Sequence, residues 1–468
     1  MVDSILLGVI IAGLSVSEQE PNHNARGDTE RQISVMIINQ SFWPDVVATA
    51  QQAHDLAKYL AARGDKVTVL TSRSLYGKKG VALRKFETID GVEIHRVSRN
   101  LFDKRGLATR ALDYLRFNVT CALHALFLPR HDVVVCLTTP PFVALVGAIL
   151  RQIKGTRFVF WTMDLYPDLP VEAGIVRRNG IVHRLLRTID LICLQSADRI
   201  VTLGRCMRQR VESKGVPASK ISMIHPWSDP NEIAELPVRR LEAPVDSLGV
   251  ARSSPTVPCG PNRYRTEWDI GDRFVIQYSG NFGLGHDAET VFGAMLAMKD
   301  DDSIRWVIVG DGVMRPVVEA FVSTHKIGNV LLKPYQPREH LSTLLSLGDV
   351  HLVLMVPGFD GVILPSKLYG VLSAGRPAIF VGPEGSEIAR VINENRCGMV
   401  VQNGNSTGLV SVLNELHKDP AMGLALGHRG RQVLESKYSM QHACDAWRTL
   451  LHQLVSPLVG GVHQRSQS

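Results

Sequence analysis

Two series of short, uninterrupted apolar runs, each followed by a stretch of helical periodicity, limit what this chain can fold into. The first series opens at 33–39 (ISVMIIN), apolar throughout, as a strand buried on both faces of a parallel sheet must be. A helix is expected at about 49–62, closed by Gly64, and 66–71 (KVTVLT) is the next strand, which completes a βαβ unit. Further strands are expected at 92–97, 132–137, 157–161 and 199–202. The second series begins at Phe274 (FVIQYSG) and continues at 306–309, 330–332, 350–354 and 377–381. Such alternation predicts parallel sheets covered by helices on both sides. With 468 residues, too many for one ordinary domain, the chain reads as α/β, with two Rossmann-like doubly wound domains facing across a cleft. Ligands are expected at the carboxyl ends of the strands, in that cleft.

The boundaries follow from composition. Residues 1–31 read as a disordered leader: the apolar stretch at 5–14 is preceded by Asp3 instead of a basic cluster and is too short to span a bilayer. The first domain is expected at 32–235 and the second at 267–436. Residues 236–266, rich in Pro, Ser and Arg without periodicity, form a linker or insertion. Residues 437–468 hold a last helix and a tail; the helix either caps the second domain or crosses back to the first. Seven scattered cysteines, never in a C-x-x-C pair, read as reduced thiols of a cytosolic protein. The net charge of +7 is uneven, since residues 96–220 alone hold 20 Lys and Arg against 9 Asp and Glu. A basic half suits nucleic acid, anionic lipid or a phosphorylated substrate. With no aromatic-interleaved basic tract or zinc-finger spacing, nucleic acid fits least. The apolar stretch 107–128, with arginines at intervals, reads either as a buried helix with a basic rim or as an amphipathic helix resting on an anionic membrane.

Residues 361–377 (GVILPSKLYGVLSAGRP) carry the densest chemistry. They read as a strand end, a tight loop and a short helix stopped by Gly375 and Pro377, so that Pro365, Ser366 and Lys367 converge on one spot suited to an anion. The alternative is a capped helix with a solvated lysine. Two further strand-to-helix loops support the anion: Ser279 to His286, with three glycines, and Gly310-Asp311-Gly312. Glycines there let backbone N–H groups approach a diphosphate. Neither loop is a dinucleotide fingerprint or a Walker A motif. In the first domain Asp164 follows a buried strand, where a carboxylate facing the cleft binds sugar hydroxyls or assists proton transfer; otherwise it is a cap or turn residue.

The ordered set FWPDVVATAQQAHDLAKYLAARGDKVTVLT, FVFWTMDLYPD, SADRIVTLGRCMRQRV, YSGNFGLGHDAET, VGDG and PSKLYGVLSAGRP resembles the family-4 retaining glycosyltransferases of the GT-B fold. Within them it is most similar to the WbuB-like branch of O-antigen and capsule synthesis. The resemblance spans about residues 33–455, except 236–261. It implies transfer of a sugar from a nucleotide diphosphate sugar, the co-substrate, with retention and with neither metal nor cofactor. The second domain would bind the donor: Gly280, Asn281 and Gly283 line the diphosphate with His286 and Gly310 beside them, Lys367 neutralises it next to Pro365 and Ser366, and backbone near Tyr335 meets the base. Asp164 would face the donor sugar and acceptor, with Ala48 and Thr49 on the acceptor side.

Two departures from the family stand out. The Arg and Lys of the family's first donor loop are Asn281 and His286 here, and the Glu-x7-Glu pair is replaced by Val362 and Gly370, which leaves Glu387 as the substitute for the ribose contact. The expectation is a cytoplasmic enzyme, peripheral at the inner face of the plasma membrane, acting on a lipid-linked or glycan acceptor and not on nucleic acid. Its competitors are a nucleotide-sugar epimerase or hydrolase on the same fold, and a non-catalytic sugar-nucleotide-binding subunit.

Overall fold

The computed structural model describes residues 31–75, 82–99, 106–233 and 262–456. The leader and most of the insertion lie outside them, as do Cys259 and the tail after residue 456. The first sheet has eight strands: β1 (Ser34–Ile38), β2 (Lys66–Ser72), β3 (Phe86–Ile89), β4 (Val92–Ser98), β5 (Val133–Cys136), β6 (Arg157–Thr162), β7 (Arg199–Thr202) and β8 (Ile221–Met223), in the order β3-β4-β2-β1-β5-β6-β7-β8. The second has six: β9 (Phe274–Ser279), β10 (Ile304–Val309), β11 (Val330–Lys333), β12 (Val350–Leu354), β13 (Ala378–Val381) and β14 (Gly398–Val401), ordered β11-β10-β9-β12-β13-β14. Every pairing is parallel except β3 with β4. In both sheets the first strand of the series, β1 or β9, lies inside the sheet at the point where strand order reverses. Loops leaving its carboxyl end and that of its neighbour diverge to opposite faces and open a crevice.

Central strands are buried on both faces, which is why they read as continuous apolar runs: β5 is VVVC and β12 is VHLVL, with no residue exposed. The short helix Arg263–Glu267 falls inside the stretch expected to be linker. Asn262 caps it, accepting from the Tyr264 N–H at 3.0 Å, and Tyr264 packs against Trp268 with centroids 4.4 Å apart.

The helix Met440–Val455 packs on the first lobe. Trp447 is buried against Trp161 at 4.6 Å between centroids, and Trp161 stacks on Trp227 at 5.7 Å. Polar contacts fix the same placement: Tyr59 donates to Asp445, and Arg448 and His452 reach the buried Asp65 at 3.3 and 3.2 Å. The lobes also meet directly. The Leu165 amide donates to the Val362 carbonyl at 2.9 Å, and Arg210 donates to the carbonyls of Asp360 and Gly358 at 2.7 and 2.8 Å. Gly361 is positive in φ, and a Cβ on it would lie 2.6 Å from the Cys206 carbonyl oxygen, so this approach needs glycine.

Candidate active site between the lobes

A cavity of about 280 Å³ opens between the lobes at the carboxyl ends of the sheets. From the first lobe it takes Ala48, Gln51, Gln52 and Asp55, one face of the helix Ala48–Ala62, and then Trp227 to Asp229 and Glu232 from the crossing segment. From the second lobe it takes Ser279 and Gly280 after β9, Tyr335 to Arg338 after β11, and Ser366, Lys367 and Gly370 at the helix Lys367–Ser373.

Lys367 is the chemical centre of the second-lobe wall. Its ammonium points inward, donating to Tyr278 Oη at 2.5 Å and standing 3.9 Å from the centroid of the same ring, with His286 Nε2 at 3.4 Å. Among the described residues no carboxylate touches it, and burial pushes Lys367 down to about 7. His286 is pushed down to about 3 by burial and then by the charge of Lys367, and burial raises the Tyr278 phenol well above its usual range. The neutral His286 ring has Nδ1 3.0 Å from the Gly283 amide, which donates to one tautomer, and 3.1 Å from the Gly283 carbonyl, which accepts from the other; the second leaves the Nε2 lone pair facing Lys367. The unfolded chain therefore holds more proton than the folded one between pH 7 and the usual lysine value. This lysine works against folding at pH 7 and below, and the cost fades as pH rises toward that value. A cation kept at such a cost is a functional-site candidate.

The glycine loops form the floor. Gly280 has φ +128°, and a Cβ there would sit 3.6 Å from Lys367 Cε. Gly310 and Gly312 are also positive in φ; their Cβ atoms would fall 2.1 Å from the Gly280 carbonyl oxygen and 2.3 Å from that of Phe282. The Gly310 loop thus lies directly on the Gly280 loop and holds it against Lys367.

The structure gathers only part of the expected set. Ala48, Gly280, Tyr335, Ser366 and Lys367 line the cavity; Thr49, Asn281, Gly283, His286, Gly310 and Pro365 do not. His286 and Gly310 act from beneath, as supports of Lys367 and of the Gly280 loop. Asn281 is exposed. Asp164 stands past the end of β6 in a small separate recess with Thr138, Phe142 and Tyr166. Its amide donates to Thr138 Oγ1 at 3.3 Å, and burial raises its carboxyl to about 6.

Glu387 needs a correction. It is buried in the seam between the lobes and absent from the cavity lining: its carboxylate accepts from the Arg205 amide at 2.6 Å and from Arg205 Nε at 3.1 Å, while Arg205 Nη1 donates to Glu394 at 2.7 Å. Gly204 just before leaves room, since a Cβ there would lie 2.6 Å from Glu387 Cγ. The carboxylate is spent on the first turn of the helix Arg205–Ser213 and on its guanidinium, which keeps it out of the cavity.

Residues that sequence reasoning missed complete the first-lobe wall. Trp227 Nε1 donates to Asp55 at 3.1 Å, and burial raises that carboxyl to about 6. Glu232 accepts two bonds from Arg338, at 2.7 and 2.9 Å, bridging the crossing segment to the second lobe at the cavity wall. Positions 48, 51, 52 and 55 follow helical spacing, the one signal that could have marked this face. The crossing-segment residues gave no such signal. Among the described residues, no group of three or more His, Cys, Asp or Glu side chains is close enough to hold a metal ion.

Residues 48–227 match the family described as a glycosyl transferase 4-like domain. The chain is 27% identical over 361 residues to WbjE of Pseudomonas aeruginosa, named as a glycosyltransferase, covering 77% of this chain and 83% of that protein. It is 24% identical over 369 residues to WcaI of Escherichia coli (strain K12), named as a colanic acid biosynthesis glycosyl transferase, covering 77% and 86%. The crystal structure of Anabaena HepE in complex with UDP-glucose superposes with a TM-score of 0.63 at 11% identity, covering 90% of this chain and all of that one.

Glu387→Ala is expected to lower the free energy of unfolding by about 1–3 kcal/mol in a urea titration, the scale of stranding buried donors, while changing donor affinity less than about threefold. Unchanged stability with a tenfold loss of donor affinity would return Glu387 to the ribose.

Proposed function

We propose that this chain, a GT-B-fold glycosyltransferase of polysaccharide biosynthesis that carries a glycosyl transferase 4-like domain, moves a hexose from a nucleotide diphosphate sugar to a lipid-linked glycan acceptor. The transfer retains the anomeric configuration and needs no bound metal. The observation that carries this reading is the inward-facing Lys367 ammonium, without a carboxylate partner, beside the Gly280 loop in a cavity shared by both lobes. A diphosphate placed there supplies the missing counter-charge.

In this reading the exposed ring and backbone of Tyr335 meet the base, and the ribose lies over Gly370, where a Cβ would find only Leu345 at 3.5 Å and the wall is otherwise open. The diphosphate rests on Gly280, Ser366 and Lys367. As the bond from the anomeric carbon to the phosphate oxygen breaks, its electron pair goes to the diphosphate, and Lys367 stabilises the charge that develops. Asp164 is assigned to the acceptor hydroxyl, taking the proton as the new glycosidic bond forms. It precedes Leu165, whose amide is bonded to Val362 four residues before Ser366, so it stands where the first lobe meets the donor loop. Ala48 and the neighbouring Thr49 start the helix on the acceptor side. We keep the WbuB-like branch on the strength of the P-S-K form.

The cavity carboxylates Asp55, Asp229 and Glu232 recommend one other reading, a hydrolase or epimerase, but Asp55 and Glu232 are engaged by Trp227 and Arg338, and Asp229 accepts from the Asn231 amide at 2.8 Å. Nucleotide release without acceptor would favour it.

Lys367→Ala is expected to lower the transfer rate by about 10²–10³, the scale of losing one preorganised charge stabiliser. Activity near that of the unaltered protein would remove the proposed diphosphate site. A chelator is expected to leave the rate unchanged, and strict dependence on added magnesium would overturn the metal-free mechanism. Donor binding should also restore Lys367 toward its usual range. At pH 8, above its free value of about 7, calorimetry in buffers of different ionisation enthalpy is expected to show proton uptake, absent in Lys367→Met, with affinity falling as pH rises.

A further inference from the structure

Three helices of the first lobe, Leu107–Phe127, Ala144–Lys154 and Ile181–Ser196, link β4 to β5, β5 to β6 and β6 to β7. All three connections step across the sheet in the same direction, so right-handed crossovers lay them on one face, each against the next. Their inner sides bury Phe117, Leu150 and Leu194 in the core. The outer sides of such a layer ordinarily carry polar side chains. Here they are apolar: Leu115, Leu123 and Phe127 on the first helix are 60%, 54% and 89% exposed, Ile153 on the second 65%, and Ile181 and Leu185 on the third 87% and 60%. Scattered single leucines on a surface need no explanation, but a continuous apolar layer does.

The charge on this layer is one-sided. The only carboxylates on the three helices, Asp113 and Asp190, are both buried, and Asp190 is neutralised by Lys214 at 2.8 Å. Arg184 and Arg187 are exposed among the apolar tips of the third helix, and no ion pair is found for either among the described residues. At the end of the first helix opens a groove of about 510 Å³, lined by Arg73, Lys85, Arg96, Arg99 and Arg116 over Phe86 and Leu123. Backbone carbonyls hold three of these arginines in place: Arg73 Nε on Leu83 at 3.0 Å, Arg96 Nη2 on Trp43 at 2.8 Å and Arg116 Nη1 on Arg99 at 3.2 Å. Arg96 is buried and also paired with Glu87, so the groove's open charge lies on Arg73, Lys85, Arg99 and Arg116; carbonyl contacts orient a guanidinium without cancelling its charge.

We propose that this three-helix layer, with the arginine groove at its edge, is the surface by which the protein seats on an anionic lipid bilayer, its apolar side chains entering the interface and its arginines meeting lipid phosphates. A second copy of the chain would set the same cationic face against itself, so like charges disfavour that occupant. A bilayer satisfies both halves of the surface, since exposed leucines beside Arg116, Arg184 and Arg187, which meet no carboxylate among the described residues, match acyl chains beside phosphates. No helix among the described residues is long and apolar enough to cross a membrane, so the contact is peripheral. One loop borders both the groove and the cavity: the Trp43 carbonyl that holds Arg96 lies three residues before Val46, which lines the cavity. If the transfer reading of the cavity holds, a lipid phosphate held in the groove directs its glycan to that opening.

The test uses the full-length protein and sedimentation with vesicles of phosphatidylcholine alone or with about one-third phosphatidylglycerol. Binding to the anionic vesicles only is expected, and it should weaken about tenfold or more in Arg116→Glu/Arg187→Glu and in Leu123→Ser/Phe127→Ser/Leu185→Ser. Lys326→Glu/Lys418→Glu, on the second lobe, should bind as the unaltered protein does. Because the cavity is untouched, transfer to a water-soluble acceptor should persist in every variant, so failure of the membrane face and failure of the transferase reading are separable. Should the multiple variants unfold, a polarity-sensitive dye on Phe127→Cys should shift to the blue on anionic vesicles and the same dye on Lys418→Cys should not. Equal binding to neutral vesicles, full binding by the groove and layer variants, equal loss in the second-lobe variant, or an apolar variant that only converts a dimer to a monomer would each overturn the proposal.

Discussion

Arg205 and Glu387 form a buried clasp across the seam between the two lobes, the centre of a set of bonds that holds the cavity walls in register. The carboxylate comes from the helix Glu387–Asn395 of the second lobe; the guanidinium and the receiving amide come from the first turn of the helix Arg205–Ser213 in the first lobe. A carboxylate at that position meets both a full positive charge and the partial charge of a helix start. Arg205 then passes its second edge to Glu394, two helical turns further on. Around this clasp the Arg210 bonds to the Asp360 loop and the Leu165 bond to Val362 fix the segment that leads directly into Ser366 and Lys367. The lobe seam and the cavity-facing lysine are therefore parts of one stretch of chain.

The lysine shows the second physical theme, charge held where water would ordinarily compensate it. Tyr278 gives Lys367 an oxygen and a ring face but no negative charge, and His286 is kept neutral beneath it. A solvated lysine would lose part of its interaction with an anion to reorganising water. A lysine already stripped of water and aimed by its neighbours does not. The close stacking of Gly310 on Gly280 serves the same end, because it lets a backbone loop stand where a side chain would otherwise screen the ammonium.

Much of the architecture was legible because strands buried on both faces are apolar without interruption. β7 and β12 fall on the residues expected from their composition. The strands that escaped notice are those without that signature. β3 is a partly exposed antiparallel edge of sequence FETI, β8 has three residues, and β14 opens on a glycine. In the site, the placing of Lys367 at a helix start was legible because the loop and helix that present it are local in sequence, whereas Tyr278 and His286, which it meets, lie 89 and 81 residues away. The role of Asp55 was not legible, since its partner Trp227 lies 172 residues away, and in sequence it is only one more polar residue on an amphipathic helix. Glu387 was misplaced for the same reason. Whether a buried carboxylate serves a ligand or a salt bridge depends on what folds against it, and Arg205 is 182 positions distant.

The helix Met440–Val455 has a bearing on how the molecule comes into being. Tyr59 and Asp445, which join it to the first lobe, stand 386 residues apart, and Trp447 covers Trp161 and Trp227 in that lobe's core. A ribosome has therefore made almost the whole second lobe before the first can close over its tryptophans. The early lobe waits half-finished through that interval, with aromatic surface open to chaperones or to misassociation, and its completion is a ring closure between distant parts of the polypeptide. Fusions or truncations near residue 450 would thus damage the half of the protein most remote from them in sequence.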